Sequence, residues 1–582
     1  MEVAWFGPQP RRFAEPLACF EAFDVADVVP TLARAEAALD DGYSVAGYLA
    51  YEAGAAFVAG QHGVAFASAP WPLVALGVYA PAATPGLAED VLRDDAARLG
   101  PLVAHIDADG YAADLAAIAE ALHAGDVYQV NYTVPFTFAF AGDPAALFAR
   151  MRAHARVPFA AYVRHGDRAL LSLSPERFFE LDGTHIRTRP MKGTSAPDAT
   201  ASLDSPKNRA EHVMIVDLLR NDMHRICTSV DVAPLFGVET YPTFATMTST
   251  LDGRLRDDAR LGKIFAALFP CGSVTGAPKA SAMAQIGRRE LAPRGIAMGT
   301  IGYCDGPRRG QWNVAIRTAS LDCATGRGEV RIGGGIVADS TPAAEWAEIL
   351  VKRRVFADLA PSVRLIETLR VETDGACVRE AVHRARLARS AFALGIAYDD
   401  TRIARAFVAL RATTRHAPTL ARIELAPDGG VTIAERALEA VPLDPTIALA
   451  NSRVCASDPV TRYKTTIRDA YDAAGAEARA LHCFDALLCN ERGELADGAR
   501  TSLFIEDADG TLLTPPLASG ALAGILRGEL LASGRAREVV LAPNDLSDAR
   551  IYVGNAARGL IAVRLVSRGK AAYGDTSGLA IG

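Results

Sequence analysis

Ile332-Gly-Gly-Gly-Ile-Val-Ala-Asp-Ser-Thr-Pro-Ala-Ala-Glu-Trp-Ala-Glu-Ile349 is the stretch on which the reading turns. Gly333, Gly334 and Gly335 let the backbone approach a ligand closely and present N–H groups to a carboxylate. Asp339 to Pro342 is a helix start, with the proline in the first turn. Glu345 and Glu348 are three residues apart and Lys352 lies four beyond, so all three share one helix face. Two carboxylates and a cation on one face suit a Mg²⁺ ion and an anionic group bound to it. The same pattern also fits a solvated charged face.

A second Gly/Pro element is Cys271-Gly-Ser-Val-Thr-Gly-Ala-Pro-Lys279. Pro278 fits a first helical turn, with Thr275 and Gly276 before it at the positive end. That reads as an anion site or as an ordinary helix cap.

Working outward, 582 residues allow roughly three to four average domains. The net charge of −7 leaves no basic field for nucleic acid or an anionic membrane, so local Arg and Lys must bind any anionic substrate. The nine cysteines show no CxxC pair and no metal-ligand spacing, which points to reduced thiols and a cytoplasmic location. The N-terminal Met-Glu-Val-Ala-Trp-Phe-Gly-Pro has neither a basic n-region nor an apolar core, so no signal peptide is read. Gly42 to Gly60 carries Glu52 and several glycines, so it is expected to be a buried strand pair, not a membrane span.

Along the chain, residues 1 to about 110 read as strands and loops. Asn208–Asp222 reads as an amphipathic helix. Gly299–Tyr303 and Asn313–Thr318 read as strands flanking a Gly306-Pro307 turn. A helix is expected from Pro342 into Val355. Residues 356–363 read as a linker, broken by Pro361, before strand Arg364–Arg370 and helix Arg379–Leu394.

The first block carries a series of motifs: Gly125-Asp-Val-Tyr-Gln-Val-Asn131, Ser174-Pro-Glu-Arg-Phe178, Arg189-Pro-Met-Lys-Gly-Thr194, Glu211-His-Val-Met-Ile-Val-Asp-Leu-Leu-Arg-Asn-Asp222, Ser273-Val-Thr-Gly-Ala-Pro-Lys279 and Gly333-Gly-Gly-Ile-Val337. In this order, over about residues 110–355, the series resembles the chorismate-utilising enzymes. These include anthranilate synthase component I, aminodeoxychorismate synthase component I, and the isochorismate and salicylate synthases. The resemblance implies Glu211 and Glu348 as Mg²⁺ carboxylates with Glu345 beside them, and Glu176 as the acid that protonates a departing ring hydroxyl. It implies Arg317 and Lys352 as carboxylate clamps, and Gln129, Thr275, Gly334 and Gly335 among the groups around the substrate. Gln129 stands where water-adding members use a Lys base. Thr246 stands where many relatives carry His. Pro190-Met-Lys-Gly-Thr194 is similar to the aminodeoxychorismate synthases, where anthranilate synthases resemble Pro-x-Ala-Gly-Thr. A lysine at position 192 can add to the ring, displace the hydroxyl and then yield to ammonia. No Gly-x-Cys-x-Gly glutaminase elbow is read, so ammonia is expected from solution or from a separate glutaminase subunit.

The second block carries His383-Arg-Ala-Arg-Leu-Ala-Arg-Ser-Ala391, Lys464-Thr-Thr-Ile-Arg-Asp-Ala-Tyr471, Asp497-Gly-Ala-Arg-Thr-Ser-Leu-Phe504, Gly524-Ile-Leu-Arg527 and Gly554-Asn-Ala-Ala-Arg-Gly559. Together these resemble the fold-type IV enzymes that use pyridoxal 5'-phosphate (PLP). The resemblance implies Lys464 as the lysine that bonds the cofactor and Asp497 as the partner of its ring nitrogen. It implies Arg386, Gly524, Ile525, Asn555 and Ala556 as phosphate contacts. Asp497 replaces the family's usual Glu, with Glu494 an offset alternative, and Ser502 replaces the usual Asn.

The expected architecture is α+β. Residues 1–355 would form a chorismate-binding α/β sandwich with its core in 110–355. Residues 364–582 would form a fold-type IV unit of two α+β subdomains, a fold that admits a homodimer. The implied chemistry is amination of chorismate to 4-amino-4-deoxychorismate, then loss of pyruvate to give 4-aminobenzoate. The alternatives are an inactive PLP-fold scaffold or an aminotransferase in the second block.

Overall fold

Strand Gln129–Ala141 is thirteen residues long and buried along nearly its whole length, which requires cover on both faces. It runs antiparallel to Arg327–Ile336, with Thr133, Tyr132 and Asn131 opposite Gly333, Gly334 and Gly335. The computed structural model describes residues 1–58, 71–81, 88–93, 96–290, 292–547 and 549–566. Its chain divides into two units, Met1–Pro361 and Ser362–Gly582.

In the first unit these two strands belong to a ten-stranded sheet, and a nine-stranded sheet faces it. Val3, Trp5, Phe159 and Leu170 of the first sheet meet Tyr48, Ile301 and Tyr303 of the second in one apolar core. A separate three-stranded sheet, Met191–Ser195, Phe244–Thr248 and Gly237–Tyr241, lies beside helix Pro206–His224. The helix read over Asn208–Asp222 is therefore two residues longer at each end.

Four local readings change. Val25–Asp40 is a helix burying Val28, Leu32, Ala35 and Leu39, where only strands and loops were expected. Pro30 hid it: the proline sits in the second turn, where its missing N–H leaves the Ala26 carbonyl without the usual helical donor. Gly42–Gly60 is not a strand pair: strand Ser44–Leu49 leads into a 3₁₀ turn, Tyr51–Ala56, and residues 59 and 60 lie outside the described set. Buried Glu52 holds that turn by accepting the N–H groups of Arg294 and Gly295. The strand expected over Asn313–Thr318 breaks between Val314 and Thr318, where Arg317 takes the left-handed φ of 50°. That break turns the Arg317 side chain toward a cavity.

The helix expected from Pro342 into Val355 ends at Lys352, and a short helix, Arg354–Ala357, follows it.

The second unit has two layers of its own. Strands Leu365–Val371, Thr419–Leu425 and Val431–Ala437 form an antiparallel sheet with helices Glu380–Leu394 and Asp400–Ala412 against it. An eight-stranded mixed sheet packs helix Asp469–Ala480 against Thr446–Val454 and Asp485–Asn490. Apolar clusters around Leu487, Leu503 and Val553, and around Ala474 and Leu488, fill its faces.

Candidate active site in each unit

The cavity of the first unit holds about 160 Å³ and is lined by Glu176, Lys192, Glu211, Ser273, Arg317, Gly333 to Gly335, Glu345, Glu348 and Lys352. Glycine is required at its floor. A Cβ on Gly335 would fall 1.9 Å from Gln129 Nε2 and 3.1 Å from Lys192 Nζ. A Cβ on Gly334 would sit 3.2 Å from Glu345 Oε2, 3.5 Å from Lys192's neighbour Lys352 Nζ and 3.8 Å from Glu348 Oε1. The glycines thus bring the helix Pro342–Lys352 and the lysine strand to opposite edges of one small space.

Lys192 lies on strand Met191–Ser195, and the Thr246 hydroxyl donates to the Gly193 and Lys192 carbonyls at 2.8 and 3.3 Å. Thr246 therefore clamps the lysine strand. Burial pushes the Lys192 ammonium below its ordinary range, opposed by the Glu211 charge. Glu176 is 2% exposed and accepts the Ser273 hydroxyl at 2.6 Å. Burial lifts its carboxyl to about 7, against the Ser273 bond and the Lys192 charge, so near neutrality it still carries a proton to give. Arg317 stacks on Phe244, its guanidinium carbon 3.4 Å from the ring centre, and forms no ion pair with a described residue. Burial lowers it to about 9.

Gln129 is fully buried beside Gly335, and neither its amide oxygen nor its amide nitrogen has a hydrogen-bond partner in the protein. Thr275 is not at the cavity: its hydroxyl donates to the Cys271 carbonyl, and Gly276-Ala277 pair with Gln129-Val130 as an edge strand. The helix-cap anion site read from that motif is thus replaced by sheet pairing, and Ser273 of the same motif faces the cavity instead. Ser273 had no distinguishing signal beyond its place in the motif.

Glu345 accepts the Ser340 hydroxyl at 2.6 Å, and Glu348 pairs with Lys352 at 2.7 Å. Lys352 also donates to the Gly333 carbonyl at 2.6 Å. Among the described residues no three Asp, Glu, His or Cys side chains converge as a metal cluster. Mg²⁺ takes one or two carboxylates and fills its octahedron with water and substrate oxygens. Glu211, Glu345 and Glu348, oxygen donors lining one cavity, fit that requirement.

One correction concerns nitrogen supply. Gly302-Tyr-Cys304-Asp-Gly306 does spell Gly-x-Cys-x-Gly, contrary to the sequence reading. It lies in strand Thr300–Gly306, where Cys304 is fully buried against Trp312. Burial pushes its thiol up to about 12. A nucleophile elbow needs an exposed thiol at a strand-to-helix turn, and this cysteine has neither.

The cavity of the second unit is larger, about 400 Å³, and Lys464, Asp497, Arg386, Ile525 and Asn555 all line it. The Lys464 carbonyl accepts the Ile366 N–H at 2.8 Å, which ties the lysine to strand Leu365–Val371. Burial, then the Arg386 charge, lowers the amine to about 7. Asp497 is 4% exposed. Its Oδ2 accepts the Leu522 N–H at 2.6 Å and its Oδ1 has no partner. Burial raises the carboxyl to about 7 despite the Leu522 bond. A ring N–H would satisfy that orphaned oxygen, which is the observation that makes this cavity fit PLP. Glu494 is bonded to Arg492, Asn490 and Ser519 and does not line the cavity.

Two phosphate expectations change. The Gly524 N–H already donates to the Leu522 carbonyl at 2.8 Å, so the unpaired amides of helix Ile525–Ala532 begin at Ile525. Arg386 is gripped by Glu367 through Nε at 2.8 Å and Nη2 at 2.6 Å, which neutralises much of its charge. Glu367 was missed in the sequence. It is 2% exposed and also bonds His383 Nδ1 at 2.6 Å. Burial would raise its carboxyl, but Arg386 and His383 outweigh that and hold it at about 2. Breaking such a buried group costs about 3–5 kcal/mol. Asn555 bridges two turns: its amide donates to the Arg500 carbonyl at 3.1 Å and its oxygen accepts the Ala557 and Arg558 N–H groups. The Ala556 carbonyl accepts from Arg379 at 2.8 Å.

A two-sheet sandwich with a glycine-floored cavity defines a class, and the comparisons give it a family. Residues 7–358 match the family described as chorismate binding enzyme, and the chain belongs to it. Residues 364–566 match amino-transferase class IV, so the second unit carries that domain. The chain is similar to aminodeoxychorismate synthase component 1 of Salmonella typhimurium, 41% identical over 40% of this chain and 53% of the relative. It is also similar to the aminodeoxychorismate synthase of Streptomyces griseus, 37% identical over 46% of this chain and 38% of the relative. The chain therefore spans about half or less of the length of these relatives. Anthranilate synthase component I from Streptococcus pneumoniae shares the fold at 22% identity and a TM-score of 0.51, covering 61% of this chain and 92% of that one. No helix among the described residues is long and apolar enough to cross a membrane.

Proposed function

We propose that the chain makes 4-aminobenzoate in two steps: chorismate and ammonia give 4-amino-4-deoxychorismate and water, and that product loses pyruvate. The observation that carries the reading is Lys192 facing Glu176 across the glycine floor, a nucleophile and a protonated acid in one 160 Å³ cavity. The Lys192 amine adds to the ring as Glu176 delivers its proton to the departing hydroxyl. Ammonia then forms the new carbon–nitrogen bond and the lysine leaves, so two easier displacements replace one hard one. Arg317 and Lys352 hold the substrate carboxylates. Mg²⁺, held by Glu211, Glu348 and Glu345, would neutralise a carboxylate beside them. Ammonia comes from solution or a separate glutaminase subunit, because the buried Cys304 is no glutaminase nucleophile. A cytoplasmic location and a homodimer through the second unit belong to the same proposal; the nine unpaired cysteines support the former.

In the second unit, PLP would supply an aldehyde for the substrate amine and a ring that withdraws electrons. Lys464, lowered toward neutrality, is the base for the proton on the amine-bearing ring carbon. Loss of that proton and of the side chain as pyruvate aromatises the ring. Asp497 holds the ring nitrogen protonated through its free Oδ1, since an ionised partner favours the charged form of both. The class IV domain is equally compatible with transamination; the synthase in the same chain favours the lyase, because its product is the lyase substrate.

The test is incubation of the purified chain with chorismate, ammonium and Mg²⁺, with products identified by mass. 4-Aminobenzoate and pyruvate should form in equal amounts. Glutamine alone should give neither, and excess EDTA should stop the first step while supplied aminodeoxychorismate is still converted. Accumulation of anthranilate would overturn the reading of the first unit.

Asp497→Asn should keep PLP and lose about 10²-fold of lyase kcat, the usual scale for a preorganised electrostatic contact. Full activity would move the ring partner to another residue.

A further inference from the structure

Seven arginines line the cavity of the second unit, and three of them are held by carboxylates. Arg386 is held by Glu367, Arg422 by Glu424 and Arg468 by Asp472. Arg436, Arg453, Arg500 and Arg558 form no ion pair with any described residue, and of these Arg453 donates to the Asn490 carbonyl at 2.8 Å. Arg500 and Arg558 share a ring, their guanidinium carbons 4.8 and 6.0 Å from the centre of Phe484. Their bonds are to backbone carbonyls, of Phe484 for Arg500 and of Glu439 for Arg558. Asn555 fixes the two turns that carry them, through the Arg500 carbonyl and the Arg558 N–H. Arg436 comes from strand Val431–Ala437, on the other sheet.

Guanidinium groups that outnumber the carboxylates beside them repel one another; Glu439 lines the same cavity but forms no ion pair with them. Burial and the Arg500 charge, joined by Arg436, lower Arg558, and Glu439 offsets this only in part. Such a cluster is stabilised by an anion, and a carboxylate meets the planar fork with two hydrogen bonds.

We propose that Arg436, Arg500 and Arg558 form a carboxylate subsite in this cavity, selecting a ring amine that bears a second carboxylate remote from the carbon reacting at Lys464. The inference rests on the lyase reading of the same unit and names its substrate class. It separates this pocket from one built for apolar amino acids, because a cation cluster left unpaired at the cavity penalises an apolar side chain. The phosphate of PLP is the other anion at hand, and it is assigned instead to the helix amides beginning at Ile525.

The full chain loaded with PLP is titrated with isophthalate, a ring with two carboxylates, and with benzoate, which has one. Binding is read from the absorbance of the lysine-held cofactor, which reports this cavity alone. Isophthalate should bind about tenfold more tightly, the worth of one charge-assisted contact. Arg500→Met and Arg558→Met should each remove most of that difference, keep the cofactor band and raise the KM for aminodeoxychorismate more than they lower kcat. Arg→Lys variants should recover part of it. Equal affinity for the two probes, or variants that bind isophthalate like the parent, would overturn the subsite. Variants that lose PLP would overturn it too, by showing a phosphate contact. Probe discrimination without any lyase turnover would uphold the subsite and sink the lyase reading, whereas a chain that takes up no PLP overturns both.

Discussion

Lys192→Ala is expected to lower amination of chorismate by about 10³-fold or more, the scale seen when a covalent nucleophile is removed. Chorismate affinity should change little, because Arg317 and Lys352 remain at the cavity. The parent enzyme, given chorismate without ammonia, should gain mass on a peptide containing Lys192. The rate of that adduct has a pH limb set by Glu176. Its carboxyl, raised to about 7 by burial, must be protonated to expel the hydroxyl. Adduct formation should therefore fall about tenfold per unit as pH rises above 7. Measuring the adduct rather than the product keeps the limb free of ammonia's own titration. A fully active alanine variant would remove the covalent route.

Lys464→Ala should reduce lyase turnover to background while the amination step continues. Burial and Arg386 lower its amine to about 7, which favours the neutral form a base needs. Among the described residues no other lysine lines that cavity. The variant should therefore lack the absorbance of lysine-held PLP. Aminodeoxychorismate should accumulate from chorismate, ammonium and Mg²⁺, and its conversion by the variant at the parent's rate would show that the base lies elsewhere.

The sequence shows motifs better than it shows which atoms are free. Helix Pro342–Lys352 could be read from Thr341-Pro342 and the Glu345/Glu348/Lys352 spacing, because capping and side-chain period are local properties. Helix Val25–Asp40 was illegible because a proline interrupts its pattern. The left-handed Arg317 could not be foreseen, since the strand on either side is apolar and continuous in pattern. Thr275 and Gly524 lost their expected roles for one reason: their polar groups are consumed by neighbours, the Cys271 carbonyl and the Leu522 carbonyl. Glu367 and Ser273 acquire roles through contacts with partners at positions 386 and 176. Such contacts are tertiary, and no spacing rule records them.

Strand Leu365–Val371 is the outer strand of a three-stranded sheet, yet consecutive residues on it hold two parts of the site. The Ile366 amide grips the Lys464 carbonyl, and the Glu367 carboxylate grips Arg386 and His383. A fluctuation that lifts this strand would release the lysine and the arginine together, so the site opens as one unit. A molecule bound only to the closed form opposes that opening by RT ln(1 + [L]/Kd), about 2.7 kcal/mol at a hundredfold excess over Kd. The cofactor would then act as a rivet on an outer strand of its own domain. The hydrogen on the Ile366 nitrogen, slow to exchange with solvent only while the rivet is in place, would report how firmly it is seated.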